Sequence, residues 1–364
     1  MALVHIDISP LYFPYTCTLN EHGPELHKNT LTWMADHSMR LDAAQQREFE
    51  NYHLTEGVGL FYPSLPAPQV QLAQDWTVAV VLFDALVLER PPVNQDLSLM
   101  AEVITKTLKK MQISQTLADD DHPLVKLLAD VTRRVRADAP LHLGRWIDGH
   151  RAWWLGQLHQ QGLALAGRRP SLDHYAHLRQ LTIACPPTVS AMEWIRGFDL
   201  SPLYAASPHL RALSEAAALL WGWDNDLFSY VRDYLTTDRQ GEAAREVNLI
   251  DVIQHENGCT LAEAVEEAVR LRNRVMSLFE RLSGIYLPTA PVDVQIHVSD
   301  LAESIRGNAE YYRTAGSRRY HTTTSAAPPH GSIAITSTIT DIPPPGSREP
   351  VPLTSIAWWW QLLG

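Results

Sequence analysis

The sequence predicts an all-α protein built around one large helical domain, and three observations lead there. From about Asn29 to Tyr320 the apolar residues recur at three- and four-residue spacings, and strand-like alternation is scarce. Pro- and Gly-rich joints such as YPSLPAP, ERPPV and YLPTAPV cut this pattern into separate helices. A chain of 364 residues with 45% hydrophobic and 20% charged residues can bury a sizeable core.

The elements follow in order. HKNTLTWMADH opens the helical region, and VQLAQDWTVAVVLFDALVLE comes next, apolar on more than one face and therefore expected inside the domain. LVKLLADVTRRVRA, RAWWLGQLHQQGLALAG, LRALSEAAALLWGWDNDLFSYVRDYL and LAEAVEEAVRLRNRVMSLFERLSGIY continue the helical period. After Tyr320 the composition shifts to Ser, Thr and Pro, predicting a mostly disordered tail that ends in IAWWWQLLG. Trp358–Trp360 could dock on the body, a membrane surface or a partner, and the blander reading is an accident of an unconstrained tail. The expected organisation is an N-terminal segment at 1–14, the helical domain at 15–320 and the tail at 321–364.

The formal net charge is −11 and there is no long basic run, which argues against nucleic acid as a partner. A phosphorylated ligand is still compatible if metal ions supply positive charge locally. Cys17, Cys185 and Cys259 show neither CxxC spacing nor a disulfide framework, as expected in a reducing cytoplasm. No signal peptide is evident, and the apolar run from Trp76 to Leu88, interrupted by Asp84, is too short for a transmembrane segment.

The stretch WGWDNDLFSYVRD carries the most chemical information. Asn225, Ser229 and Asp233 are spaced i, i+4, i+8, and each step turns roughly 40° and climbs about 6 Å along a helix, so three oxygen-bearing side chains share one face. Their apolar flanks suggest burial, where a lone polar group is costly. A hard cation such as Mg²⁺, which takes carboxylate, amide and hydroxyl oxygens, would relieve that cost; a capping or solvent-facing stripe is the alternative. A second candidate is VVLFDALVLER, where the Asp84 carboxylate stands among Val, Leu and Phe and needs either a metal or a buried Arg as partner.

NDLFSYVRD resembles the second metal motif of bacterial class I terpene synthases, (N,D)Dxx(S,T)xx(K,R)(E,D), and EVNLIDVIQHENGCTLAEAV resembles the stretch that follows it there. The resemblance runs from about Pro14 to Tyr320 and implies the class I terpenoid synthase fold in a single α domain. It implies that Asn225, Ser229 and Asp233 bind one Mg²⁺ and that Arg232 contacts the diphosphate. Arg179 stands 46 residues before Asn225, where the family places its diphosphate-sensing arginine. The Pro186-Pro187 pair would break the helix there and turn carbonyls around Thr182 and Ile183 toward a cationic intermediate. SIRGNAEYYRTAGSRRY resembles the RGNxxW…RY segment, with Tyr311 or Tyr312 in place of Trp, making Arg319 and Tyr320 the diphosphate-binding pair, with Arg318 the neighbouring choice. In the Asp-rich first motif, Asp84 keeps the first carboxylate, Ala85 replaces the second Asp, and Glu89 keeps the last as an outer contact.

What the resemblance implies is a magnesium-dependent cyclase of farnesyl or geranylgeranyl diphosphate, with three Mg²⁺ ions for which Mn²⁺ can substitute. Asp84, Arg179, Asn225, Ser229 and Asp233 would carry the chemistry, with Phe83, Trp76, Phe228 and Tyr311 as aromatic candidates near the cation. A monomer or homodimer in bacterial secondary metabolism is the expected setting. Ala85 leaves open a degenerate paralogue that binds diphosphate with little turnover, and a chain-elongating prenyltransferase of the same fold is the other alternative.

Overall fold

The computed structural model describes residues 4–113, 118, 121–240, 247–314 and 333–364, with side chains for all of these except 4–7, 24, 231–240 and 333–337. Strand β1 (Val4–Tyr12) leads into helices α1 (Gly23–Asp36), α2 (Ala43–Tyr52), α3 (Leu54–Phe61) and α4 (Ala67–Phe83). Then come α5 (Leu97–Gln112), α6 (Pro123–Asp138), α7 (Leu143–Leu165), α8 (Leu172–Thr182) and α9 (Cys185–Arg196). The short α10 (Ser201–Ala206), α11 (Pro208–Gln240), α12 (Leu249–Asn257), α13 (Leu261–Tyr286) and α14 (Val292–Arg313) complete the body, followed by β2 (Ile333–Thr340) and α15 (Trp358–Gln361).

Helix starts were written into the local sequence. Asp42 with Gln45 and Thr260 with Glu263 form capping boxes for α2 and α13, and Asp96, Ser171 and Asn248 cap α5, α8 and α12. Helix α11 is the central element and packs against α8, α9, α13 and α14. Its run from Ala216 to Leu220 is fully buried, as the multi-sided apolar pattern requires. Helices α7 and α8 approach closely because Gly156 presents no Cβ; one there would stand 2.7 Å from Leu181 Cβ. The span Ala67–Leu88 is long and apolar enough to cross a membrane by composition, yet most of it is buried in the bundle as a core helix.

The tail expectation is corrected for residues 333–364, while 321–332 lie outside the described residues. Strand β2 pairs in parallel with β1, Val4 opposite Ile333 and Tyr12 opposite Thr340. Beyond it Val351, Leu353, Ile356 and Trp359 are buried. The Ser355 amide donates to Asp173 Oδ1 (2.8 Å), and Trp359 Nε1 donates to Glu215 Oε2 (3.0 Å). Trp359 is thus part of the core rather than an accident of a loose end. Composition misleads here because a Ser/Thr/Pro-rich average hides the four apolar anchors in VPLTSIAWWW, and docked extended chain needs no helical period. The first fourteen residues also gain a role. The Tyr12 amide donates to Asn273 Oδ1 (2.9 Å), and the Arg272 guanidinium lies 3.9 Å from the Phe13 ring centre while ion-pairing with buried Asp224 (2.8 Å).

Candidate active site

Helix α4 ends in a single π-helical turn, Asp84–Leu88, closed by a hydrogen bond from the Glu89 amide to the Asp84 carbonyl (2.9 Å). Such wide turns inside a helix often mark functional sites. Asp84 stands at its start, partly exposed, and accepts a hydrogen bond from Gln157 Nε2 (3.1 Å). The donor in that bond is a side-chain amide supplied by α7. Arg90 turns away, donating to the Ala85 carbonyl (3.0 Å) and pairing with Glu48 (2.7 Å).

Opposite Asp84, α8 and α11 bring Arg179 against Asn225. Arg179 Nη2 donates to Asn225 Oδ1 (2.6 Å) and pairs with Asp226 Oδ1 (2.9 Å), and Asn225 Nδ2 donates to the Tyr312 hydroxyl (2.9 Å). The Tyr175 hydroxyl also donates to Asp226, so both residues of the Asn-Asp pair in the motif have defined partners. Just beyond Arg179 the helix breaks: Ala184 adopts a left-handed conformation (φ 60°) and α9 begins at Cys185. Pro186 and Pro187 carry no N–H, so they donate nothing back to the carbonyls of Thr182 and Ile183.

These residues share one cavity of about 270 Å³, lined among others by Asp84, Glu89, Arg179, Thr182, Ile183 and Asn225. Its apolar wall includes Trp76, Trp153, Trp221, Phe61, Tyr311 and Tyr312. Trp76 is held from behind by His150: the indole N–H donates to Nε2 (3.4 Å), and Nδ1 lies 2.9 Å from the Trp146 carbonyl. Burial pushes the imidazole down to about 4, so it is neutral, with Nδ1 the protonated nitrogen that donates to the carbonyl.

Two of the four aromatic candidates lie outside the cavity lining. Phe83 is buried outside the cavity wall and packs on Trp154 (ring centres 5.4 Å apart), because α4 directs it roughly 100° away from Asp84. Phe228 likewise sits behind Tyr312, stacked at 5.8 Å. Ser229 is fully buried one turn beyond Asn225. The backbone of α11 runs through Arg232 and Asp233, whose side chains lie outside the described residues, as do Arg318, Arg319 and Tyr320. Gln157 and Gln160 were missed, although Trp153, Gln157 and Gln160 in RAWWLGQLHQQ share a helical face at i, i+4, i+7.

The acidic turn after α4 and the helix that carries Asn225 thus line one aromatic-walled cavity within a helical bundle. Residues 75–277 match the family described as terpene synthase family 2, C-terminal metal binding. The chain belongs to this family of bacterial class I terpene synthases. It is similar to bonnadiene synthase of Allokutzneria albata, 27% identical over 98% of both chains. Spiroviolene synthase of Streptomyces violens is 30% identical over 68% of this chain and 67% of its own. Among solved structures, the SVS_A2 protein from an ancestral sequence reconstruction superposes with a TM-score of 0.76 at 26% identity, covering 97% of this chain and 98% of that one. The chain is therefore a terpene synthase, a lyase with an isoprenyl diphosphate substrate and a divalent metal cofactor.

Proposed function

We propose that this enzyme uses Mg²⁺ to ionise a linear isoprenyl diphosphate, farnesyl or geranylgeranyl, and cyclises the resulting cation to a hydrocarbon or alcohol. One observation carries the reading: Asp84, Arg179 and Asn225 line the same cavity as a wall of tryptophans and tyrosines. The donor set is all oxygen (carboxylate, amide, hydroxyl), which suits a hard divalent ion. Asp84 would hold metal on one side and Asn225, Ser229 and Asp233 on the other, with Glu89 an outer contact and three ions in all. Held by these residues, a divalent ion would supply positive charge against the diphosphate and Lewis acidity to its departure.

The protein's part is positioning and exclusion. Arg179 offers a forked donor to diphosphate oxygens, with Arg232, Arg319 and Tyr320 assigned the same task. When the C–O bond breaks, its electron pair leaves with the diphosphate and an allylic cation remains in the cavity. Trp76 and Trp153 line that cavity, and a ring face turned to the cation would be worth about 2 kcal/mol when desolvated. Thr182 and Ile183 line the same space, and their carbonyls, which receive no N–H from Pro186 or Pro187, are assigned the task of stabilising the cation. Cavity walls exclude water until the cation loses a proton or captures one water molecule.

Ala85, buried where a second carboxylate is usual, favours one rival reading, a paralogue that binds diphosphate with little turnover. Incubation with Mg²⁺ and geranyl, farnesyl or geranylgeranyl diphosphate, followed by volatile analysis and diphosphate release, separates the two. Products from one substrate are expected; none from any of the three refutes the synthase reading. Asn225→Leu is expected to abolish turnover, and an unchanged rate would remove the triad assignment.

A further inference from the structure

Gly222 is an odd residue for its place. It lies buried in the interior of α11, between Trp221 and Trp223, where glycine is among the poorest helix formers. Its backbone is ordinary right-handed helix, so no left-handed turn calls for it. The explanation is what lies against it. A Cβ at Gly222 would stand 2.7 Å from Arg179 Cγ, 3.2 Å from Nε and 3.4 Å from Cδ. Arg179 crosses α11 at this turn, with Nη2 3.4 Å from the Gly222 carbonyl and 2.6 Å from Asn225 Oδ1.

The close atom is Cγ, near the root of the side chain. It cannot swing aside as a flexible tip would, because Arg179 is only 7% exposed. Relieving a contact at Cγ moves the whole guanidinium away from Asn225 and Asp226. We propose that Gly222 is the positioning residue for Arg179: the missing methyl lets the arginine lie flat across α11 and present its fork beside Asn225. The role rests on Arg179 being a diphosphate ligand.

The test compares Gly222→Ala, Arg179→Ala and the double variant by thermal unfolding and by calorimetric binding of inorganic diphosphate with Mg²⁺. Gly222→Ala alone should lower Tm and weaken diphosphate binding by about tenfold or more, the loss expected when a hydrogen bond to a charged group goes. Arg179→Ala should weaken binding to a similar degree. In that background Gly222→Ala should cost no further affinity and should raise Tm by roughly a degree, since alanine is then simply the better helix former.

A glycine needed only for general packing would lower Tm equally in both backgrounds, and that result overturns the proposal. So does a Gly222→Ala protein that binds diphosphate within twofold of the parent. A parent that binds no magnesium diphosphate refutes the reading of the site itself, and the Gly222 role falls with it. If Arg179→Ala, which removes the cation facing Asp226, does not fold, Arg179→Ala/Asp226→Asn serves as the background with the same expected sign.

Discussion

Replacing Trp359 with alanine tests whether the tail belongs to the folded body. Trp359 is fully buried and its indole N–H is bonded to Glu215, a carboxyl that burial already pushes up. A tryptophan buries about 200 Å², which at about 25 cal/mol per Å² gives about 5 kcal/mol as an upper estimate. Truncations of buried aromatics fall at about 3–5 kcal/mol, in line with that figure. The tail can detach without unfolding the helices, so the measured effect is capped by the free energy of docking. Hydrogen exchange is therefore the informative assay. Amides from about Val351 to Gln361 should exchange at least a hundredfold faster, because about 3 kcal/mol corresponds to two decades. The first turn of α8, which Ser355 reaches through Asp173, should loosen with them. If exchange across 351–361 is as fast in the parent as in the variant, the tail is not docked and the argument fails.

Three further outcomes are expected. Ala85→Asp, which would restore the missing carboxylate of the first motif, should destabilise by about 3 kcal/mol without tightening Mn²⁺ binding, since position 85 is buried and offers the new charge no water; urea unfolding and Mn²⁺ titration check both halves, and tighter binding would contradict the packing. Gln157→Leu should weaken Mn²⁺ binding by about tenfold, as removal of a group orienting a metal ligand typically does, with the loss read by electron paramagnetic resonance of free Mn²⁺. Acid should destabilise the fold through His150 and His297, which burial lowers from 6.5 to about 4 and about 3. Their neutral forms are shared by both states above about 6.5; below it the unfolded chain takes up protons that the folded one refuses, so stability falls as pH drops from about 6.5 toward 4. His150 alone accounts for about 3 kcal/mol of that loss, and a urea midpoint flat across this window would count against its burial.

Sequence order carried much of the site. That Asp84, Arg179 and Asn225 share one cavity was legible in three ways: Asn225 from its i, i+4, i+8 spacing, Arg179 from its 46-residue distance to Asn225, and Asp84 from its order in the chain, as in a known family. The spacing between Arg179 and Asn225 became a direct hydrogen bond. Phe83 was not legible: adjacency to Asp84 in sequence means roughly 100° of separation on a helix, so neighbours in the chain face different rooms. Gln157 escaped because glutamine on a surface helix is common, and only the position of α7 beside the π-helical turn gives it a partner. The tail escaped for a third reason. Parallel pairing depends on a distant segment, and no local pattern announces it.

That pairing has a consequence for how the molecule comes together. Two parallel strands need a crossover between them, and here the whole catalytic bundle serves as the crossover of a single β–α–β unit. Closing so long a loop is paid for before the ladder returns anything, so the sheet cannot nucleate folding. The helices are therefore expected to gather first, with strands and tail laid over a finished surface as a seam. A seam of this kind can be unpicked without tearing the cloth. Damage to it should reach the active site through the stitches at Asp173 and Glu215, on the two helices that carry Arg179 and Asn225, and through Arg272, which ties Tyr12 and Phe13 to Asp224 beside Asn225.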